Sequence, residues 1–414
     1  MLTLYRSNRA EFLAQLLAQQ LLEQRPGPLE TVEVMVNTWP TSRWLGEQLA
    51  QCIGISSLVR FPFPGSRLRQ LVRQVLELPP QQDDPWRAGR LVWAVLDRLP
   101  AVLDHPSAEP LRQWLDRRDG PNASSGLSRD RWQLARSIAD AFDDYALYRP
   151  DLLDQWRRDQ RQNDWQPLLW RDLARQLPAE PFGLQVRAAV QRLLQGEVNP
   201  ASLPDRLRLF GISALAPVQV ELIQALSGLL QVEVYLLTPC PDLWQRCGSR
   251  REQLGEGWLE PPDGFWLEAA PRTEAILGRM GAEFQQLLEG VGDVQLGERR
   301  DGDLFAAPAE MAVAGGGDAS LLEQLQQQLV DCDVAAPLRR CRTDQSLLFQ
   351  AAPGPWREVQ LVRDRILQWL AADPELEPRD VLVMTPQIDR YAPLLSSVFN
   401  DVDAIGVDLP WRLT

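Results

Sequence analysis

Hydrophobic and polar positions alternate along the opening of the chain and then shift to a helical repeat. Leu2-Thr3-Leu4-Tyr5 predicts a short strand. After Ser7-Asn8-Arg9, apolar positions at Phe12, Leu13, Leu16, Leu17 and Leu21 predict an amphipathic helix. Val32–Val36 predicts a second strand, the turn Asn37-Thr38-Trp39-Pro40-Thr41-Ser42 follows, and a helix runs from about Arg43 to Cys52. Strand, turn and helix in repeated succession are the grammar of a parallel α/β sheet, whose ligands sit beyond the carboxyl ends of the strands. The Asn8 and Asn37–Ser42 turns are therefore the places where a site is expected.

From residue 83 to about 200 the period is helical throughout, in Trp86–Leu99, Leu111–Leu115, Arg131–Tyr148, Trp165–Leu177 and Gly183–Leu194. This predicts an all-helical insertion. Strand character returns at Leu207–Ile212 and Val232–Leu237, with a helix over Val218–Leu230 between them. Residues 245–320, ending in Gly315-Gly316-Gly317, read as long loops with one or two helices, and a glutamine-rich helix over Leu321–Val330 follows. From residue 341 a new unit is expected: strand Ser346–Gln350, helix Trp356–Leu370, strand Val381–Met384, helix Ile388–Phe399. About 70 residues are too few for a complete sheet of this kind, so the chain is expected to be a piece of a longer protein.

Composition changes the picture by what is missing. The 414 residues contain no lysine, so all 43 basic residues are arginine, and there is one histidine, His105. Without lysine, a phosphate loop of the form GxxxxGK[ST] and Schiff-base chemistry are both excluded. With one histidine, in a loop, a Ser-His-Asp triad is disfavoured and a zinc site of the HExxH type is impossible. No catalytic residue, cofactor or metal ligand is expected in this chain. Five cysteines (Cys52, Cys240, Cys247, Cys332, Cys341) form no CxxC pair and read as reduced thiols. With 56 acidic residues the net charge is −13, against a free-standing charge-driven DNA binder but compatible with a local arginine-lined groove. No signal-peptide pattern or apolar run of membrane-spanning length is present, and the expected location is the cytoplasm. Of the fifteen tryptophans, those at helical spacing (Trp86 and Trp93, Trp165 and Trp170) are expected to pack in the core.

Several blocks, in order, resemble the RecC (gamma) subunits of exodeoxyribonuclease V, the RecBCD helicase–nuclease. They are Leu4–Arg9; Trp44-Leu45 with Phe61–Pro64; Ala139–Tyr145 with Tyr148–Asp151; and Gln166–Trp170. Phe210–Leu215, Pro239-Cys240 before Trp244, Arg357-Glu358-Val359 and Pro378–Met384 complete the set. The resemblance implies a degenerate superfamily 1 helicase-like lobe in two stretches, 1–82 and 201–340, split by a helical insertion at 83–200. The start of a second α/β lobe would follow at 341–414. It implies a non-motor scaffold of the helicase/exonuclease in DNA repair and recombination. ATP and Mg would be used by RecB-like and RecD-like partner subunits, and the heterotrimer, nucleoid-associated, would act on single-stranded and forked DNA.

By the same resemblance, the channel that reads Chi on the 3′-terminated strand falls at Asn37, Trp39, Arg43, Phe63, Arg69, Asp140, Ala141, Asp143 and Arg149. Trp39, Phe63, Arg43 and Arg69 are types that stack on bases, whereas Asn37 and the two aspartates suit base edges. This chain departs from the family pattern where Trp39 replaces a small hydroxyl residue, Arg43 a glutamine, Arg69 a tryptophan and Ala141 a leucine, which puts the recognised octamer in doubt. Two other readings stay open. One is an AddB-like subunit of a related helicase–nuclease, which calls for a lysine-bearing loop that is missing here; the other is a protein-interaction scaffold without a DNA role.

Overall fold

The computed structural model describes residues 1–24, 27, 29–79, 83–119, 128–158, 164–241, 278–288, 299–331 and 337–413. Two compact units divide the chain. The first comprises 1–319 with 323–337, and the second 320–322 with 338–414.

The first unit is organised by a parallel sheet. Strand β1 (Leu2–Ser7) lies between β5 (Gln231–Leu237) and β6 (Arg299–Asp303), and β4 (Arg206–Phe210) flanks β5 on its other side. A parallel pair, β2 (Val32–Glu33) and β3 (Val59–Arg60), joins this sheet through Met35. The Met35 N–H donates to Arg208 (2.8 Å) and its carbonyl accepts from Phe210 (2.9 Å). On the other edge, Val34 and Val36 donate to Arg60 and Pro62. The expected strand Val32–Val36 is thus extended throughout and bonded on alternate sides.

Both faces of the sheet are covered, which is why its strands are apolar on both sides. One face packs against α1 (Ala10–Glu23) and α2 (Trp39–Ile53), through Leu13, Leu17, Leu45 and Leu49. Here Tyr5, Tyr235 and Phe210 occupy matched positions on β1, β5 and β4, and their rings stack at 5.1 and 5.9 Å. The other face, carrying Leu2, Leu4, Leu207, Leu209 and Val232, packs against α3 (Pro64–Val75), α9 (Phe182–Gln195) and α10 (Pro217–Leu226).

Between β3 and β4 every described element is a helix. α4 (Ala88–Leu103), α6 (Arg129–Tyr148), α7 (Pro150–Arg158) and α8 (Trp165–Gln176) share a core around Trp86, Phe142, Trp156 and Trp170, and α5 (Glu109–Asp119) links α4 to the segment before α6. The Trp86 indole also donates to the Ala179 carbonyl (2.6 Å). Trp93 of the expected core set is instead exposed, on the outer side of α4. His105 accepts from the Ser107 N–H (3.2 Å) and closes a local turn after α4.

In the second unit a helix over Pro355–Ala372 packs on one over Ile388–Phe399, around Val359, Ile366, Val398 and Phe399. Two expected strands are not formed: Ser346–Gln350 and Val381–Met384 have no ladder partner among the described residues. Their β-type composition is real, but a strand exists only when a neighbour takes its N–H and C=O groups. Phe349 (95% exposed), Leu382 (80%) and Met384 (83%) have none to pack on. No helix among the described residues is long and apolar enough to cross a membrane.

Candidate functional site

In a sheet of this topology the carboxyl end of β1, an interior strand, is the first place to look for a ligand. It is closed by the protein's own chain. Arg6, in register with Asp303 on β6, donates from Nε to its carboxylate at 2.8 Å and from Nη1 to the Pro241 carbonyl at 3.2 Å. Ser7 Oγ donates to the Leu304 carbonyl, while the Asn8 side chain both accepts from the Ala306 N–H (2.8 Å) and donates to its carbonyl (3.1 Å). A carboxylate and a strap of backbone thus occupy the region where a phosphate loop would hold its anion.

The carboxyl ends of β2 and β3, which are neighbours, are open instead. Parallel pairing brings the turns after them together. Thr38 caps α2 by accepting from the Thr41 N–H (3.2 Å), and with Pro40 in the first turn this starts the helix at Trp39. The helix turns Ser42, Leu45 and Leu49 inward, so Trp39 and Arg43, four residues apart, share the outer face. Trp39 is 72% exposed and meets Phe63 edge to face, with ring centroids 5.2 Å apart. Phe63 is half-buried in the cap position of α3, before Pro64. Arg43 has only an exposed pairing with Glu47 (3.4 Å), and Asn37 is exposed with no hydrogen bond from its side chain among the described residues. Asn37, Trp39, Arg43 and Phe63 therefore form one patch. Gly211, just after β4, lies against Thr41 and has φ +62°, a backbone region open to glycine.

Arg69 and Asp143 belong to a second place. Arg69 pairs with Asp84, and its guanidinium lies 4.4 Å over the Phe182 ring. Burial pushes Arg69 down from its ordinary value, with Asp84 opposing the shift. Asp143 accepts from the Ala88 N–H (3.0 Å) and so caps α4 from another helix. Burial raises the Asp143 carboxyl above the usual carboxylate range, against the pull of the Ala88 N–H, Arg87 and Arg69. Asp140 and Ala141 lie on the same helix. Asp140 is exposed and paired with Arg136 (3.1 Å), and Ala141 is half-buried. Arg149 ends α6, donating its N–H to Tyr145 (2.9 Å), with its side chain exposed and in no ion pair among the described residues.

The residues around Arg69 line an open cavity of about 660 Å³ that includes Ser66, Gln70, Arg73, Arg87, Arg90 and Gln185. None of these was singled out from sequence. On α3 the signal was present: Ser66, Gln70 and Arg73 recur at helical spacing opposite the buried Leu68, Leu71, Val72 and Val75. For Arg87 and Arg90 there was none, because only the fold brings the start of α4 to α3. No group of three or more His, Cys, Asp or Glu side chains among the described residues could hold a metal; Cys247, Cys332 and Trp244 lie outside them.

A family model described as "RecC, N-terminal domain" matches residues 2–332. The chain is similar to proteins named "RecBCD enzyme subunit RecC". That of Mycolicibacterium smegmatis is 32% identical over 98% of this chain and 35% of the relative. That of Escherichia coli is 28% identical, over 98% and 38%. That of Haemophilus influenzae is 25% identical, over 100% and 40%. The chain thus spans between a third and two fifths of the length of these relatives.

Proposed function

The chain belongs to the RecC family, and on that footing we propose that it is the DNA-handling, non-motor part of a RecBCD-type helicase–nuclease acting in DNA repair and recombination. It holds RecB-like and RecD-like subunits together and guides the 3′-terminated single strand across the open ends of β2 and β3, where Chi is read. Family membership sets aside the AddB-like reading. The interior position of β1 between β5 and β6 supports a helicase-like lobe, and the Arg6–Asp303 closure supports one that has given up nucleotide binding. The helix pair of the second unit suits the start of a second lobe.

One observation carries the reading: a tryptophan left exposed at the ligand-binding edge of a parallel sheet, braced edge-on by Phe63 and flanked by Arg43 and Asn37. Stacking of one base on an aromatic ring contributes about 1–3 kcal/mol. Arg69 and Asp143 are already engaged with Asp84, Phe182 and Ala88. The experiment is photocrosslinking of forked DNA in an assembly reconstituted with RecB-like and RecD-like subunits. Trp39→Ala and Arg43→Ala each reduce crosslinking of the 3′-terminated strand to this chain without altering assembly; undiminished crosslinking in both variants would overturn the assignment.

A further inference from the structure

A separate cavity of about 380 Å³ lies where the end of α8 meets the start of α9. Arg157, Arg171 and Arg175 line it with one acid, Glu180. Arg157 is engaged by Glu180 (3.0 Å) and by Asp154 (2.6 Å), which also takes Arg158 (2.6 Å). Asp172, the acid within α8, pairs with Arg98 at 3.7 Å. Arg171 donates to a neutral group, the Trp156 carbonyl, at 3.3 Å. The Arg175 guanidinium, exposed in the last turn of α8, makes no hydrogen bond or ion pair among the described residues. Trp170 adds an independent sign of a ligand. It lines the cavity, is 1% exposed, and its indole N–H has no acceptor among the described residues, whereas the adjacent Trp86 donates to the Ala179 carbonyl at 2.6 Å. A buried donor left without an acceptor is costly, and an oxygen brought by a ligand relieves it. α9 starts beside the cavity with Pro181 in its cap position and no side-chain cap, so its amino end adds partial positive charge. The indoles of Trp86 and Trp170 are too buried to offer a face on which a base could stack, while Leu177 and Pro178 give a short apolar side chain a surface to lie on. A free guanidinium, a buried N–H and an uncapped helix start beside that surface match a carboxylate on an apolar peptide better than a nucleotide.

We propose that this cavity is a docking point for a partner subunit, seating one of its aspartate or glutamate side chains beside an apolar residue. Arg175 is the principal contact, with the Trp170 N–H at the base. The inference rests on the assembly part of the reading above and is independent of the Trp39 patch. Arginine and tryptophan are the residue types that anchor such interfaces, where a charge pair is desolvated as the partner closes over it.

A photocrosslinker placed at the rim by Ala174→p-benzoylphenylalanine identifies the occupant, in the assembly reconstituted with RecB-like and RecD-like subunits and forked DNA. Ala174 is exposed, lines the cavity and precedes Arg175. The expected product joins this chain to one partner subunit, at a peptide that carries an aspartate or glutamate beside an apolar residue. Arg175→Glu, a change at an exposed and unpaired position, is expected to lower its yield about tenfold at subunit concentrations below saturation. Converting the crosslinked acid of the partner to its amide should lower the yield similarly, and the two changes together no further. A crosslink to DNA in place of protein would assign the cavity to nucleic acid and overturn the proposal. A partner crosslink undiminished by Arg175→Glu overturns it as well. So does the absence of any crosslink to a partner subunit; if Trp39→Ala still reduces crosslinking of the 3′-terminated strand in that assembly, the reading of the patch stands. Conversely, a partner crosslink lost in Arg175→Glu, with no effect of Trp39→Ala on the strand, keeps the docking point and removes the patch.

Discussion

Gly183→Ala tests the tightest approach in the first unit. Gly183 is buried in the first turn of α9 and packs on the carboxyl end of α6. A Cβ there would lie far inside van der Waals contact of the Ala146 carbonyl oxygen, 3.1 Å from its carbon and 3.2 Å from Pro150 Cβ. Pro150, four residues after Ala146, has no N–H to offer that carbonyl, so nothing but a hydrogen-sized group fits over it. In an open helix the substitution would add about 1 kcal/mol of stability. Here the obstacle is backbone, which cannot swing aside, and overpacking costs about 3 kcal/mol at the upper end of its range. The net expectation is a loss of about 2 kcal/mol, or about 3 °C in the melting temperature of a unit this size. Thermal unfolding followed by tryptophan fluorescence is a suitable assay, because Trp86, Trp156 and Trp170 lie in the adjoining core. Gly89→Ala is the control: its nearest neighbour would be the Arg136 guanidinium at 3.9 Å, and it should match or exceed wild type. A Gly183→Ala protein as stable as the Gly89→Ala one would refute the close α6–α9 contact, and with it the rigid placement of Arg149 just beyond.

Two further expectations concern buried charge. Glu233 on β5 accepts from Arg206 and Arg208, each at 2.9 Å; Glu233→Ala strands two cations, one almost fully buried, and should cost about 3 kcal/mol in urea unfolding, whereas an unchanged midpoint would mean the cluster is dispensable. Because burial raises the Asp143 carboxyl, the folded state binds that proton more tightly than the unfolded chain. Its contribution to stability is therefore fullest below the unfolded value and falls as pH rises through the folded value. Relative to Asp143→Asn, wild type should gain stability as pH falls through the raised folded value towards the unfolded one, and parallel dependence on pH in the two proteins would contradict the raised value.

Element types were legible in the residues because they follow from local periodicity. The amphipathic run from Phe12 to Leu21, the helical stretch after residue 83 and the cap at Thr38 all depend on neighbours a few positions away. So did the exclusion of a lysine phosphate loop, which needs only counting. Of the candidate site, the Asn37–Arg43 turn was legible as the end of a strand in an α/β pattern, and its union with Phe63 needed only the parallel pairing of β2 with β3.

What the tertiary structure alone decided is where distant segments meet. β1 becomes an interior strand, Tyr5 stacks on Tyr235 and Tyr235 on Phe210, and Asp303 closes on Arg6 from 297 residues away. Asp143 caps a helix 55 residues upstream, and α3 and α4 gather four arginines around one cavity. The same dependence explains the misread segments at Ser346–Gln350 and Val381–Met384. A helix satisfies its backbone from within, so its sequence can announce it. A strand, an ion pair or a cavity is completed by atoms that only the fold brings within reach.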